Sequence, residues 1–124
     1  MNWIEVDFRE VVLRVKDRLK DFTKCDLPFI GFEHIEKESL RIIGTGRTDG
    51  LTSEKTIFQP GDILFGTLRP YFRKVVVPKF SGVCSTDITV LRTKDETKLN
   101  QKFLFYFIAN PSFIKYASNF AKDQ

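Results

Sequence analysis

The most informative part of this chain is the stretch Gly61-Asp-Ile-Leu-Phe-Gly-Thr-Leu-Arg-Pro-Tyr-Phe-Arg-Lys-Val-Val-Val-Pro-Lys-Phe-Ser-Gly-Val-Cys-Ser-Thr-Asp87. Two short apolar runs within it, Ile63 to Phe65 and Lys74 to Val77, predict strands. Pro70 lies between them and prevents one continuous central strand, because proline cannot donate to the ladder. Val83 to Arg92 alternates in side-chain character and predicts a further strand. The stretch therefore indicates a sheet whose strands follow one another closely.

The same stretch has an unusual charge distribution. From Ile63 through Thr86 it contains no carboxylate, and it carries the cations Arg69, Arg73, Lys74 and Lys79 beside Tyr71 and Phe72. Cations next to aromatic side chains, with no acid to neutralise them, suit a polyanion such as nucleic acid. The alternative is that Arg69 pairs internally with Asp87 and that Tyr71 and Phe72 belong to the core.

Turn-forming residues precede this stretch. Gln59-Pro-Gly-Asp62 predicts a β-turn with Pro in the second position and Gly in the third. The glycine-rich segment from Gly44 to Gly50 predicts a loop. Its glycine spacing does not match a dinucleotide-binding loop, and no Gly-Lys-Ser or Gly-Lys-Thr follows for a P-loop.

The two ends of the chain favour helices. Asp7-Phe-Arg-Glu10 is typical of a capping box, and apolar residues from Val11 to Phe22 at helical spacing predict an amphipathic helix ending near Asp21 to Lys24. Gln101 to Ala109 predicts a buried helix capped by Asn100. Asn110-Pro111 ends it, and a second helix is predicted from Ser112.

The segments between the ends favour short strands. Phe29 to Ile35, Leu40 to Ile43 and Thr56 to Phe58 are predicted to be extended. A helix, several strands and two helices predict an α+β fold, with a twisted, mostly antiparallel or mixed sheet.

Composition limits the possible classes. The 124 residues are 42% apolar with a net charge of +4, which favours one globular domain spanning residues 1–124. Cys25, Cys84 and the single His34 lack the spacing of a zinc site. The chain shows no signal peptide and no long apolar run, so the expected location is the cytoplasm, away from the membrane.

The reactive side chains do not assemble into a Ser-His-Asp or Cys-His catalytic set. Cys84 shares a predicted strand face with Ile88 and Val90, which indicates a buried and inert thiol. His34 has no nucleophile beside it and is more typical of a hydrogen-bonded structural residue.

Two alternatives to nucleic-acid binding remain open. One is a metal-dependent nuclease that uses Asp62, Glu96 and Lys98, which requires carboxylates converging on Mg²⁺. The other is a protein-interaction module whose surface is the Phe-rich C-terminal region.

Several blocks of the sequence also carry a family resemblance. They are Phe29-Ile-Gly-Phe-Glu-His-Ile35, Gly61-Asp-Ile-Leu-Phe-Gly66, Leu68-Arg-Pro-Tyr71, Arg73-Lys-Val75 and Gly82-Val-Cys-Ser-Thr-Asp87. Together, and in this order, they resemble the target recognition domain of the specificity (S) subunit of type I restriction-modification systems. The resemblance extends from about Asp21 to Phe120.

The resemblance implies a non-catalytic domain that reads one half of a bipartite site in double-stranded DNA, as part of a defence against foreign DNA. It implies methyltransferase (modification) and restriction subunits as partners. S-adenosylmethionine, ATP and Mg²⁺ would then belong to those partners, and no cofactor is expected in this chain. The family pattern continues beyond Gln124 into a spacer helix and a second recognition domain, so the resemblance also implies either a truncated domain or a half subunit, which would normally have to dimerise to recreate two recognition domains.

The candidate DNA-binding residues follow from the cation–aromatic run and the glycine-rich loop. Arg69, Tyr71, Arg73 and Lys74 are the leading candidates, the arginines because a guanidinium forks onto phosphate or guanine edges. Arg47, Thr48 and Lys55 are further candidates in or just after the loop, since loops usually carry sequence readout. The DNA sequence recognised is not predicted.

Overall fold

A computed structural model describes residues 8–23, 25–36, 41–66 and 74–110. These residues contain two α-helices, one 3₁₀ turn at Phe32–His34 and eight strands. The helices are α1 (Phe8–Val11) and α2 (Gln101–Ala109). The strands are β1 (Val12–Arg14), β2 (Arg18–Leu19), β3 (Phe29–Ile30), β4 (Lys55–Phe58), β5 (Ile63–Gly66), β6 (Val75–Val76), β7 (Gly82–Cys84) and β8 (Ile88–Thr93).

The strands form two four-stranded sheets. The first has the order β1-β8-β5-β6 and is antiparallel throughout. The second has the order β2-β4-β7-β3, and its only parallel pair joins β3 to β7. The predicted α+β class with mostly antiparallel or mixed pairing is confirmed, although two sheets replace the single sheet that was expected.

The first sheet is buried on both faces. From β5, Ile63 and Phe65 pack with Leu104 and Ile108 of α2 in one apolar cluster. Leu64, between them in sequence, points the other way and packs in a second cluster with residues of the second sheet, including Phe58. The molecule therefore has three layers, and the unbroken apolar run of β5 reflects a strand covered on both sides.

The predicted turn at Gln59–Asp62 is confirmed. The Asp62 amide donates to the Gln59 carbonyl across 3.1 Å. Gly61 has a φ of 91°, a conformation that glycine adopts without the steric penalty of a Cβ. The turn brings β4 of the second sheet directly into β5 of the first.

Helix α2 is confirmed with its predicted cap, but it is buried on one face only: Leu104, Ile108 and Ala109 are buried, whereas Phe103 and Tyr106 are exposed. The Asn100 side chain accepts hydrogen bonds from the Lys102 and Phe103 amides, and Asn110 forms the C-cap. Gln101 then ties the helix to the first sheet: its Oε1 accepts from the Thr93 amide and its Nε2 donates to the Gly61 carbonyl, each across 2.8 Å.

The predicted N-terminal amphipathic helix is wrong beyond its first turn. Helix α1 ends at Val11, and the chain continues as β1 and β2. The Val15 amide donates to Val90 in the first sheet, and Asp17 accepts from Ile57 in the second, both across 2.8 Å. This segment thus passes from one sheet to the other, and its β-branched valines suit a pleated strand.

Two extended predictions need similar correction. Val83 to Arg92 is not one strand: β7 lies in the second sheet and β8 in the first, joined by a turn in which the Ile88 amide donates to Ser85. Only the first part of Phe29 to Ile35 is a strand, because Phe32–His34 forms the 3₁₀ turn. The predicted burial of Cys84 with Ile88 and Val90 is nevertheless confirmed.

Some predictions lie outside the described residues. They are the corner at Pro70, the start of the Leu40 to Ile43 run and the helix from Ser112. In the described part of the chain, no helix is long and apolar enough to cross a membrane.

Candidate nucleic-acid interface

The leading candidates lie on a segment whose two ends are adjacent. The Gly66 amide at the end of β5 donates to the Lys74 carbonyl across 2.8 Å, and β5 pairs with β6 directly beyond this bond. Arg69, Tyr71 and Arg73 lie in residues 67–73, outside the described residues. The framework therefore fixes where this cationic segment leaves the first sheet and where it returns.

Lys74 makes its contacts with the 3₁₀ turn. Its Nζ donates to the Phe32 carbonyl across 2.8 Å and lies 4.0 Å from the centroid of the Phe32 ring. An ammonium over an aromatic face is attracted by the ring quadrupole, and the effect grows as the pair is desolvated. Lys74 is half-buried, so this pairing occupies a substantial part of its side chain.

Phe32 also packs against the start of the segment. A Cβ added at Gly66 would come within 2.7 Å of the Phe32 ring, which real Cβ atoms do not tolerate. Gly66 is therefore the residue that lets the Phe32 ring approach the strand backbone. Phe32 and Lys74 are 42 positions apart in sequence, so only the tertiary fold brings them together.

The glycine-rich loop presents one cation to solvent. The Arg47 side chain is 84% exposed and pairs with Asp49, itself 72% exposed, across 2.9 Å. An exposed pair of this kind contributes little to stability and is easily exchanged for another anion. Arg47 is therefore available to a phosphate in the geometry observed.

The other two loop candidates are buried. Thr48 donates its hydroxyl to the Cys25 carbonyl across 3.2 Å. Lys55 lies in β4, donates to the Ser53 carbonyl and hydroxyl, and sits 6.0 Å from the Phe29 ring centroid. Both side chains are less than 10% exposed, so in this arrangement they hold the loop and its neighbouring strand in place.

A pocket lies under the base of this loop. It has a volume of about 330 Å³ and is lined by Cys25, Asp26, Leu27, Pro28, Gly46, Arg47, Thr48 and Asp49. Two of its lining residues are acidic and one is basic, so the lining does not favour an anion. It marks the place where the 25–28 segment and the loop separate.

His34 has the structural role expected for it. The Gly31 amide donates to His34 Nδ1 across 2.9 Å, which requires Nδ1 to be unprotonated. The ring stands edge-on to Phe29 at 6.0 Å and lies close to Gly46, where an added Cβ would be 3.3 Å from the ring. His34 therefore supports the base of the loop that carries Arg47.

Both carboxylates of the nuclease alternative already have protein partners. Asp62 is paired with Arg92 through two hydrogen bonds of 2.6 and 2.7 Å, and that bonding raises the pKa of Arg92 above its ordinary value. Glu96 accepts from the Gln101 amide. Among the described residues, no group of three or more His, Cys, Asp or Glu side chains could hold a metal ion.

The Cys84 thiol is likewise unsuited to chemistry. Burial raises its pKa to about 12, so the thiol stays protonated near neutral pH.

On α2, Phe103 and Tyr106 are more than half exposed, which is the apolar surface that the interaction-module alternative relies on.

Phe32 and Gly66 are framework residues at this surface that residue-by-residue reasoning did not single out. Both belong to blocks that carry the family resemblance, which is the only signal of their importance in the sequence. Their contacts depend on the meeting of two distant segments.

Comparison with known proteins adds an independent finding. No model of a known protein family matches the chain. Over 123 residues, 95% of its length, the chain is 32% identical to the type I restriction enzyme EcoDI specificity subunit of Escherichia coli. It spans 26% of that relative's own length.

Two solved structures share the fold. A chain from a type I R-M system, solved in work on its complex assembly and conformational transition, has a TM-score of 0.69 and 20% identity, over 82% of this chain and 27% of that one. The HsdS subunit from Thermoanaerobacter tengcongensis has a TM-score of 0.66 and 20% identity, over 80% of this chain and 27% of that subunit.

Proposed function

We propose that this chain, which is homologous to part of the specificity subunits of type I restriction enzymes, is a DNA target recognition domain. The observation that carries the proposal is the 32% identity to such a subunit over 95% of the chain. In this proposal residues 1–124 act as one recognition domain that reads one half of a bipartite DNA site in the cytoplasm.

The charge distribution agrees with this function. The acid-free run from Ile63 to Thr86 provides cations without neutralising partners in sequence. Arg47 adds an exposed guanidinium on a separate loop. We assign DNA contacts to Arg69, Tyr71, Arg73 and Arg47, where arginines fork onto phosphates or base edges.

The remaining candidates enter the proposal as supports. Thr48 and Lys55 hold the Arg47 loop through buried hydrogen bonds. Lys74 stands at the foot of the 67–73 segment. Side chains of this kind determine where a reading residue lies without touching DNA.

The proposed role is non-catalytic. The methyltransferase and restriction subunits would be the protein partners and would carry S-adenosylmethionine, ATP and Mg²⁺. The Asp62–Arg92 pair speaks against the nuclease alternative, because the buried carboxylate is already neutralised by a guanidinium.

Duplex binding tests the proposal. The full chain is titrated into a short mixed-sequence duplex at several salt concentrations, followed by fluorescence anisotropy. Each phosphate contact contributes about −0.9 to the slope of log affinity against log salt. Arg47→Ala is expected to make the slope shallower by about 0.9, and Arg69→Ala with Arg73→Ala by about twice that.

Lys102→Ala is the matched control, since Lys102 is an exposed cation on α2. This helix covers the face of the first sheet that is turned away from the second sheet. It should leave the slope unchanged. If the wild-type chain binds no duplex even at low salt, or if Mg²⁺-dependent nicking of a plasmid accompanies binding, the proposed function is wrong.

A further inference from the structure

The 3₁₀ turn contacts the described residues that lie next to each cationic segment of the proposed interface. Phe32, at its start, contacts Gly66 and Lys74 at the two ends of the 67–73 segment. His34, at its end, lies against Gly46 beside Arg47. One three-residue turn therefore adjoins both places where a cationic segment leaves the framework.

The contact with the 44–50 loop is made by backbone as well as side chain. Phe29 and Gly46 exchange two hydrogen bonds, of 3.1 and 2.7 Å. The Ile43 amide donates to the His34 carbonyl across 2.8 Å. The loop thus starts from a short ladder alongside residues 29–34, and the position of Arg47 follows the position of the turn.

The contact at the base of the 67–73 segment is made by Lys74. Its ammonium donates to the Phe32 carbonyl and faces the Phe32 ring, while its own carbonyl closes the base of the segment by accepting from Gly66. Lys74 therefore joins the turn to the base of the segment through both its side chain and its backbone. A charge held in this way has less freedom to follow a phosphate than an exposed lysine has.

We infer that Lys74 is a positioning residue: its side chain fastens the Gly66–Lys74 base, where the first sheet meets the 67–73 segment, to the Phe32–His34 turn, a contact called the clasp below. The turn thereby fixes the position of this base relative to the loop that carries Arg47. The evidence for the clasp is the set of contacts described above and does not depend on DNA binding. The expected effect of the clasp on DNA binding rests on the proposed function.

The clasp is tested without DNA. Hydrogen exchange at the Gly66 amide, followed by NMR on the full chain, reports the bond that closes the segment. Lys74→Met keeps most of the aliphatic stem and removes the charged donor, so exchange at Gly66 is expected to accelerate by about tenfold.

Lys79→Met is the matched control, because Lys79 is exposed and lies in the same acid-free run. It should leave the exchange at Gly66 unchanged. If Lys74→Met also leaves it unchanged, the clasp is overturned.

The positioning role is tested with the mixed-sequence duplex. Lys74→Met should weaken binding while leaving the salt slope unchanged, because the competent arrangement is depopulated and no phosphate contact is lost. Phe32→Leu carries no change of charge and should weaken binding in the same way.

The opposite pattern overturns the positioning role and leaves the proposed function intact. In that pattern Lys74→Met makes the slope shallower by about 0.9, and Phe32→Leu binds like the wild type. If the wild-type chain binds no duplex, the proposed function is wrong, and the turn has no role in DNA recognition. The hydrogen-exchange measurement still shows whether Lys74 holds the base of the segment to the turn.

Discussion

Asp62→Asn is expected to destabilise the fold by about 2 to 3 kcal/mol, which is a large share of the stability of a domain of this size. The Asp62 side chain is 3% exposed and that of Arg92 is 30% exposed. The two carboxylate oxygens accept hydrogen bonds of 2.6 and 2.7 Å from the guanidinium, and Oδ2 also accepts from the Gln59 amide.

The magnitude follows from what the substitution leaves behind. Breaking a fully buried ion pair costs about 3 to 5 kcal/mol, mostly because the remaining charge stays desolvated. Arg92 keeps access to water over nearly a third of its side chain. The expected cost is therefore lower, and asparagine retains one acceptor oxygen, which can serve at most two of the three donors.

Urea unfolding followed by far-UV circular dichroism measures the effect. Asp49→Asn is the matched control: it makes the same chemical change in the Arg47–Asp49 pair, where both side chains are largely exposed. The control should alter the free energy of unfolding by less than about 0.5 kcal/mol.

Two results would refute the reasoning. One is an Asp62→Asn variant that loses less than about 1 kcal/mol, which would mean that the pair adds little to the fold. The other is a stabilised variant together with a wild-type melting temperature that rises with Mg²⁺. That pattern is expected of a carboxylate kept for a metal ion.

Further expectations concern Cys84 and Gly61. In the native protein a thiol reagent at pH 8 should label Cys25 and spare Cys84, because the Cys84 thiol is fully buried and its pKa is raised to about 12. Equal labelling of the two cysteines would contradict this burial. As the pH rises, the Cys84 thiol loses its proton at a lower pH in the unfolded state than in the folded state. The free energy of unfolding should therefore fall between pH 8 and pH 10. Urea unfolding should show a fall that is about 1 kcal/mol larger in the wild type than in Cys84→Ala. Gly61→Ala should cost about 1 to 2 kcal/mol through its positive φ alone, since nothing lies near the added methyl group, and an unchanged unfolding midpoint would contradict that origin.

Local chemistry in the sequence was sufficient for the elements whose partners are near in the chain. Gln59-Pro-Gly-Asp62 forms the predicted turn because proline and glycine restrict the backbone by themselves. Asn100 caps α2 as predicted, because a cap needs only the next few amides. The apolar run of β5 likewise predicted a strand.

The site was predictable only in part. Sequence alone identified the acid-free cationic run, and it named Arg47 in a loop that the structure shows to be exposed. It did not distinguish Arg47 from the buried Thr48 one position later, because neighbouring loop residues look alike until their packing is known.

Only the tertiary structure decided which strands switch between sheets and what the 3₁₀ turn contacts. Val11 to Phe22 satisfied a helical period, yet β1 and β2 find partners far along the chain, and those long-range ladders outweigh a weak local preference. Val83 to Arg92 alternated like one strand but bends at Ser85 to serve two sheets. The Phe32–Lys74 contact depends on the same folding together of distant segments, because cation, ring and carbonyl meet only when both sheets are in place.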